Sequence, residues 1–160
     1  MLRAYDIVRL VDVRTIPRSR HNPQFNRESL PASLEEFGIG WEHRAGLGGL
    51  RKPLKDSPNQ GWRNAGFRGY ADYMQTGEFT VELEALIELA SGARTAIMCA
   101  EAVPWRCHRS LIADALLVRS IPVRHIMNEN DARTHALTRF AHVEGTCITY
   151  PFALNDGVDV

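Results

Sequence analysis

The stretch TAIMCAEAVPWRCHRSLIADALL, residues 95–117, organises the reading of this chain. Residues 95–99 form a short run rich in apolar and β-favouring side chains, which predicts a strand. Residues 110–117 place Leu111, Ile112, Ala115 and Leu116 on one helical face, which predicts a helix. The link between them, residues 100–108, holds Glu101, Trp105, Arg106, Cys107 and His108, and Arg109 follows at once. A strand–loop–helix unit of this kind points to an α/β fold. In such folds ligands gather at the carboxyl ends of strands, where the first turn of the next helix offers free backbone N–H groups and the positive end of its dipole.

That geometry gives the link a chemistry. An anion suits the start of such a helix. Cys99 falls at the carboxyl end of the predicted strand, and Cys107 falls at or just before the helix, where the dipole and the flanking Arg106 and Arg109 favour a thiolate. Either cysteine is a candidate nucleophile, with Glu101 or His108 as general acid or base. Arg14 and Arg109 are the candidate clamp for an oxyanion or phosphate. A second reading makes Cys99, Cys107 and His108 ligands of a structural zinc ion, although their spacing is no familiar zinc pattern. A third is purely structural, with Cys107 near a helix cap and Glu101 paired to Arg106 or Arg109. No cofactor is expected from sequence motifs, since the chain has no phosphate-binding loop, dinucleotide fingerprint or nucleophile-elbow serine.

Five blocks of the chain carry a family resemblance. Cys99, Glu101 and the Cys107-His108-Arg109 triplet form one. VDVRTIPRSRHNPQFN at 11–26, LGGLR at 47–51, FRGYADYM at 67–74 and ITYP at 148–151 are the others. In this content and order the chain resembles the prokaryotic family called "domain of unknown function 488", over about residues 6–151. The resemblance implies an α/β domain with a clustered polar site, and no particular reaction. It adds Arg68 and Tyr70 to the candidate substrate-binding residues. It also implies a departure: family members usually open with a strand bearing a Thr-Ile-Gly-His-Ser-like motif and a helix, whereas residues 1–5 here read as the last turn of that helix. The resemblance therefore implies either a misassigned start or a shortened member that lacks the first strand and most of the first helix, and with them a histidine and a serine.

Composition bounds what the site can serve. With 160 residues and 44% hydrophobic content, the chain is long enough for one domain with a substantial core, spanning 1–160. No run approaches the roughly 20 apolar residues of a membrane span, and the first residues lack the pattern of a secretory leader. The expectation is a cytoplasmic protein without a membrane partner, and three cysteines in that setting predict reduced thiols rather than a disulfide framework. Net charge is zero, yet residues 1–70 hold 12 Lys and Arg against 7 Asp and Glu, while residues 71–160 hold 7 against 12. Only Lys52 and Lys55 are lysines. Arginine is the better fork for phosphate or carboxylate. A small anionic or nucleotide ligand is the expected partner. Nucleic acid is an alternative, with Trp41 and Trp62 available for stacking, although zero net charge opposes extended non-specific DNA binding.

The rest of the chain reads as scaffold with local exceptions. Residues 7–13 predict a buried strand, after which Asp12 and Arg14 share a face, either as an ion pair or with Arg14 as an anion ligand. Residues 15–26, with Pro17 and Pro23, predict a loop in which Arg18 and His21 are candidate binding residues. A short helix at 29–37 ended by Gly38, and a second strand at 39–44, come next. Residues 52–63 predict an exposed, mobile insertion, and Trp62 and Phe67 either plug the core or cover a pocket. Helices at 67–74 and 78–91 follow, the second with an apolar stripe of Val81, Leu83, Leu86, Ile87 and Ala90. Beyond the central stretch, the pattern predicts a strand at 123–127, a helix at 134–141, and a strand near 146–150 in which Cys147 is buried. His125, His135 and His142 read as surface or satisfied structural groups. Residues 152–160 are expected to be a tail. The expected fold is a single α/β domain with a mostly parallel sheet and helices on both faces.

Overall fold

The structure, a computed structural model, describes residues 1–152. Its centre is a parallel sheet of three strands, β1 (Arg9–Asp12), β2 (Gly40–His43) and β3 (Thr95–Met98), in the order β2-β1-β3. Arg9 sits opposite Gly40 on one side and Thr95 on the other, so all three strands end together at Asp12, His43 and Met98. The loops that leave those ends share one edge of the sheet. That shared edge is where the candidate residues are gathered.

The pleat of β1 divides the core in two. Val11 and Val13 are fully buried in a large cluster with Leu47, Tyr70, Phe79, Leu83, Leu111, Ile112 and Tyr150, while Leu10 packs with Leu30, Leu34 and Ile39 in a smaller one. Alternation of this kind is the period-two signature of a strand with apolar neighbours on both sides. α1 (Leu30–Glu35) supplies Leu30 and Leu34, carries Pro31 in its first turn, and is followed by Gly38 at φ 69°, a backbone conformation that disfavours any side chain with a Cβ.

α2 (Ala65–Tyr73) starts where Asn64 accepts hydrogen bonds from the N–H groups of Gly66 and Phe67. α3 (Gly77–Gly92) starts where Thr76 accepts from Phe79. α4 (Arg109–Leu117) follows β3 and buries every residue from Ser110 to Leu116, including Asp114. The strand, loop and helix expected at 95–117 are present. A short 3-10 turn, Pro104–Arg106, shapes the link between them.

Several expectations need correction. The insertion at 52–63 is not simply exposed: Ser57 and Asn59 are buried and donate to the Asp72 carboxylate of α2, and Asn59 accepts from the N–H of Tyr150. Trp62 stacks on Phe67 at 4.7 Å, meets Phe140 edgewise and Tyr150 at a tilt, and packs partly buried against the core. No helix forms at 134–141. Instead β4 (Arg124–Ile126) pairs antiparallel with β5 (Ala132–Thr134), and Asp114 then captures His135 and the N–H of Thr138, fixing a path that a helix could not follow. β6 (His142–Glu144) and β7 (Cys147–Thr149) form a second antiparallel hairpin. Cys147 lies in that strand yet is exposed, its thiol donating to Gln75, because the hairpin buries Ile148 and turns its neighbours outward. The sheet content is thus one three-stranded parallel sheet plus two antiparallel hairpins, less purely parallel than expected. Among the described residues no helix is long and apolar enough to cross a membrane. Residues 153–160 of the expected tail lie outside the described residues.

Candidate functional site

Four of the five sequence blocks meet at one imidazole. His108 stands at the start of α4, and its Nε2 lies 3.1 Å from the carbonyl oxygen of Val13, at the end of β1. Tyr70 of α2 packs against the ring at 5.0 Å and donates its own hydroxyl to the carbonyl of Leu47. Gly49 is required on the remaining side, since a Cβ there would collide with the His108 ring. Arg51 holds the glycine loop by donating to the carbonyls of Gly46 and Gly48 while its guanidinium lies 3.6 Å over the Tyr73 ring. The LGGLR and Tyr70 blocks therefore serve the imidazole through packing.

This cage fixes the tautomer. A carbonyl only accepts, so Nε2 carries the proton. Burial pushes His108 down to about 4, against the opposing pull of the Val13 and Leu47 carbonyls, and nearby Arg109 and Arg51 add to the fall. At neutral pH the ring is uncharged, and its Nδ1 holds a lone pair. That lone pair faces the sulfur of Cys107, 3.6 Å away.

Both expected cysteines converge here. Cys107 is buried, and its sulfur accepts from the backbone N–H and the Nε of Arg109, each at 3.4 Å. Cys99, just beyond β3, is half-buried, and its sulfur accepts from the N–H of Glu101 at 3.2 Å. The two sulfurs meet at bonding distance, which departs from the expectation of separate thiols. Their Cα atoms are 7.6 Å apart, wider than the roughly 4.4–6.8 Å that disulfides usually span. With His108, their ligand atoms all lie within 4.8 Å of one another.

The cluster forms part of the wall of a cleft of about 360 Å³, also bounded by Arg14, Thr15, Ile16, Gly49, Leu50, Asn64, Gly66, Phe67, Glu101 and Arg106. The expected anion clamp is differently employed. Arg14 is buried, its guanidinium bonded to both oxygens of Asp12 and to the carbonyl of Phe25, so it ties the 15–26 loop to the strand end. Arg109 points its guanidinium at the carbonyls of Glu101 and Ala102 and at Cys107, which braces the loop. Arg106 is the exposed guanidinium on the cleft wall.

Other expected residues fall elsewhere. Arg18 and His21 are exposed and do not line the cleft. Arg68 donates to the carbonyl of Trp62 rather than toward the centre. Tyr70 is fully buried, with its hydroxyl pushed up from its usual range by burial, and it positions His108 from behind. Three residues were missed as site residues: Arg106, Asn64 and Gly49. Asn64 carried no signal in the sequence, and Gly49 was visible only as part of the LGGLR block. Arg106 was named beside the cysteines, but the longer-range partner Arg14 drew the clamp role away from it.

Comparison with known proteins agrees with the family resemblance, over a span that holds four of the five blocks and leaves ITYP at 148–151 outside. The family model described as "Domain of unknown function DUF488" matches residues 1–116, which includes the β1 end, the glycine loop, Tyr70, both site cysteines and His108. No curated protein and no solved structure matches the chain. With its family model covering well over half of its length, the chain belongs to the DUF488 family, a domain of unknown function.

Proposed function

We propose that the cleft is the active site of a cysteine-dependent hydrolase or transferase that takes a small anionic substrate of phosphorylated or nucleotide type. The observation that carries the reading is the convergence of two sulfurs and an uncommitted imidazole lone pair on the cleft. Titratable groups gathered in a cleft with a shifted histidine are the usual mark of reaction chemistry. Two N–H donors aimed at Cys107, one from a guanidinium and one from the first turn of α4, stabilise negative charge on that sulfur. His108 Nδ1 is placed to exchange a proton with it. Arg106 supplies the free positive charge for the substrate, in place of the clamp first expected from Arg14 and Arg109. Phe67 gives the cleft an aromatic wall against which a base can stack. Glu101, exposed on the same wall, is a proton acceptor open to solvent.

The test is thermal unfolding against inorganic phosphate, mononucleotides and short single-stranded nucleic acids, for the native chain and for Arg106→Ala. A ligand at 100 times its dissociation constant adds about 2.7 kcal/mol, or roughly 5 to 10 °C for a domain of this size. A shift with a phosphorylated ligand that disappears in Arg106→Ala is the expected result. No shift, or an equal shift in the variant, contradicts the reading. A shift from nucleic acid alone, falling steeply with salt, would instead favour a binding module without catalysis.

A further inference from the structure

We infer that Cys99, Cys107 and His108 form a zinc-binding centre with its fourth position open to the cleft. The inference rests on the cleft being the active site; with the ion bound, Cys107 and His108 Nδ1 act as its ligands rather than as a proton-exchanging pair. Its first support is the donor set. Two cysteine sulfurs and one imidazole nitrogen within 4.8 Å of each other are the soft and borderline ligands that Zn²⁺ selects. A tetrahedral ion with bonds of about 2.3 Å to sulfur and 2.0 Å to nitrogen holds its ligand atoms roughly 3.5–3.8 Å apart. The Cys107 sulfur and His108 Nδ1 already stand at 3.6 Å. Once an added thiol reductant has supplied two electrons and two protons to the Cys99–Cys107 pair, a torsional adjustment at half-buried Cys99 sets the two sulfurs at the same spacing, and the 7.6 Å between their Cα atoms suits two side chains converging on a shared ion better than it suits a bridge between them.

The second support is independent of the ligands. A metal-bound histidine almost always donates its other ring N–H to a carbonyl or carboxylate, which fixes the tautomer and aims the lone pair. His108 has this arrangement before any ion arrives: Nε2 on the Val13 carbonyl, Tyr70 behind the ring, and Gly49 admitting it. Cys107 has its own outer partner in Arg109. Three ligands from a loop and the first turn of α4 leave one side facing the cleft, the composition of a catalytic rather than a closed structural site. Binding displaces the thiol protons of Cys99 and Cys107 to solvent, and two thiolates balance the charge of Zn²⁺. Zinc at such a position acidifies a bound water and polarises a substrate oxygen.

The full chain, reduced and then freed of reductant, is titrated with Zn²⁺ in competition with a chromophoric chelator, and with Co²⁺ to read thiolate ligation from the charge-transfer band. One ion per chain with a thiolate band is expected, with at least a 100-fold loss of affinity in Cys99→Ser and in Cys107→Ser. Gly49→Ala, which moves the imidazole without removing a ligand, should weaken binding by about 10- to 100-fold. Far-ultraviolet circular dichroism confirms that each variant is folded, and Cys147→Ser, folded and unchanged in affinity, excludes the exposed thiol. Absence of binding by the reduced native chain, or full affinity in Cys107→Ser, overturns the inference. Phosphorylated-ligand shifts recorded in the presence of chelator judge the active-site reading separately, so a dry metal titration with an intact ligand shift rejects zinc alone.

Discussion

Helix α4 carries two polar clusters, and only one of them is closed. At its middle, Asp114 is fully buried, and its carboxylate receives the hydroxyl of Tyr150 at 2.8 Å, His135 Nε2 at 2.8 Å and the N–H of Thr138 at 3.0 Å. His135 in turn meets His125 at 2.9 Å. At its start, His108 sets Nε2 against the Val13 carbonyl, with the Leu47 carbonyl also acting on the ring, and Nδ1 lies 3.6 Å from the Cys107 sulfur. Both clusters place a histidine against low-dielectric surroundings, and burial lowers His108 and His125 alike to about 4. They differ in what is left over. A buried carboxylate that gathers three donors stiffens a core, whereas an imidazole nitrogen beside two sulfurs on a cleft is available for chemistry.

The sharpest way to break this contrast is to cut each cluster once. Asp114→Ala strands the Tyr150 hydroxyl, a ring nitrogen of His135 and the Thr138 N–H in the interior, and we expect it to cost about 3 kcal/mol, a fall in Tm of roughly 6 to 12 °C. Cys107→Ala in metal-free protein should cost about 1 kcal/mol, since it removes a small buried side chain and weak sulfur contacts while the carbonyl bonds of His108 and Arg109 stay in place. Differential scanning calorimetry of the two variants measures the gap. Equal losses would mean that the start of α4 is as structural as its middle.

A smaller effect comes from pH. His125 is held down chiefly by burial, with His135 and Arg109 adding to the fall and Asp114 opposing it. The unfolded chain takes up a proton near 6.5, the folded chain only near 4, so the folded state is disfavoured as pH falls through that window. Stability is full above about pH 6.5 and declines toward pH 4, with a share from His125 of about 1 kcal/mol once its partial exposure is discounted. His125→Gln should flatten that part of the decline in urea unfolding at pH 4.5 relative to pH 7. An unchanged slope would detach His125 from the closed cluster.

The central unit was readable because its signals are local. A short β-favouring run, a loop full of titratable groups and a 3.6-period helix are written within residues 95–117, and the motif order fixed what surrounds them. The employment of the arginines was not readable. Arg14 binds Asp12, two residues away, and the carbonyl of Phe25, but nothing in the spacing distinguishes a buried ion pair from a free clamp at a strand end. The helix expected at 134–141 failed for a similar reason: local propensity was overruled by Asp114, a partner about 20 residues earlier that captures His135 and Thr138. Ser57 and Asn59, polar and loop-like in sequence, are buried because Asp72 answers them. In each case the deciding partner is remote or ambiguous in sequence.

The claim on which both the active-site reading and the zinc inference depend is that His108 presents an unprotonated Nδ1. Nitrogen-15 chemical shifts of the His108 ring in metal-free, reduced protein at pH 7 measure this directly, with assignment by comparison to His108→Gln. The neutral tautomer, with the proton on Nε2 and a lone pair on Nδ1, is the expected result. A proton on Nδ1, or an imidazolium at that pH, would contradict it.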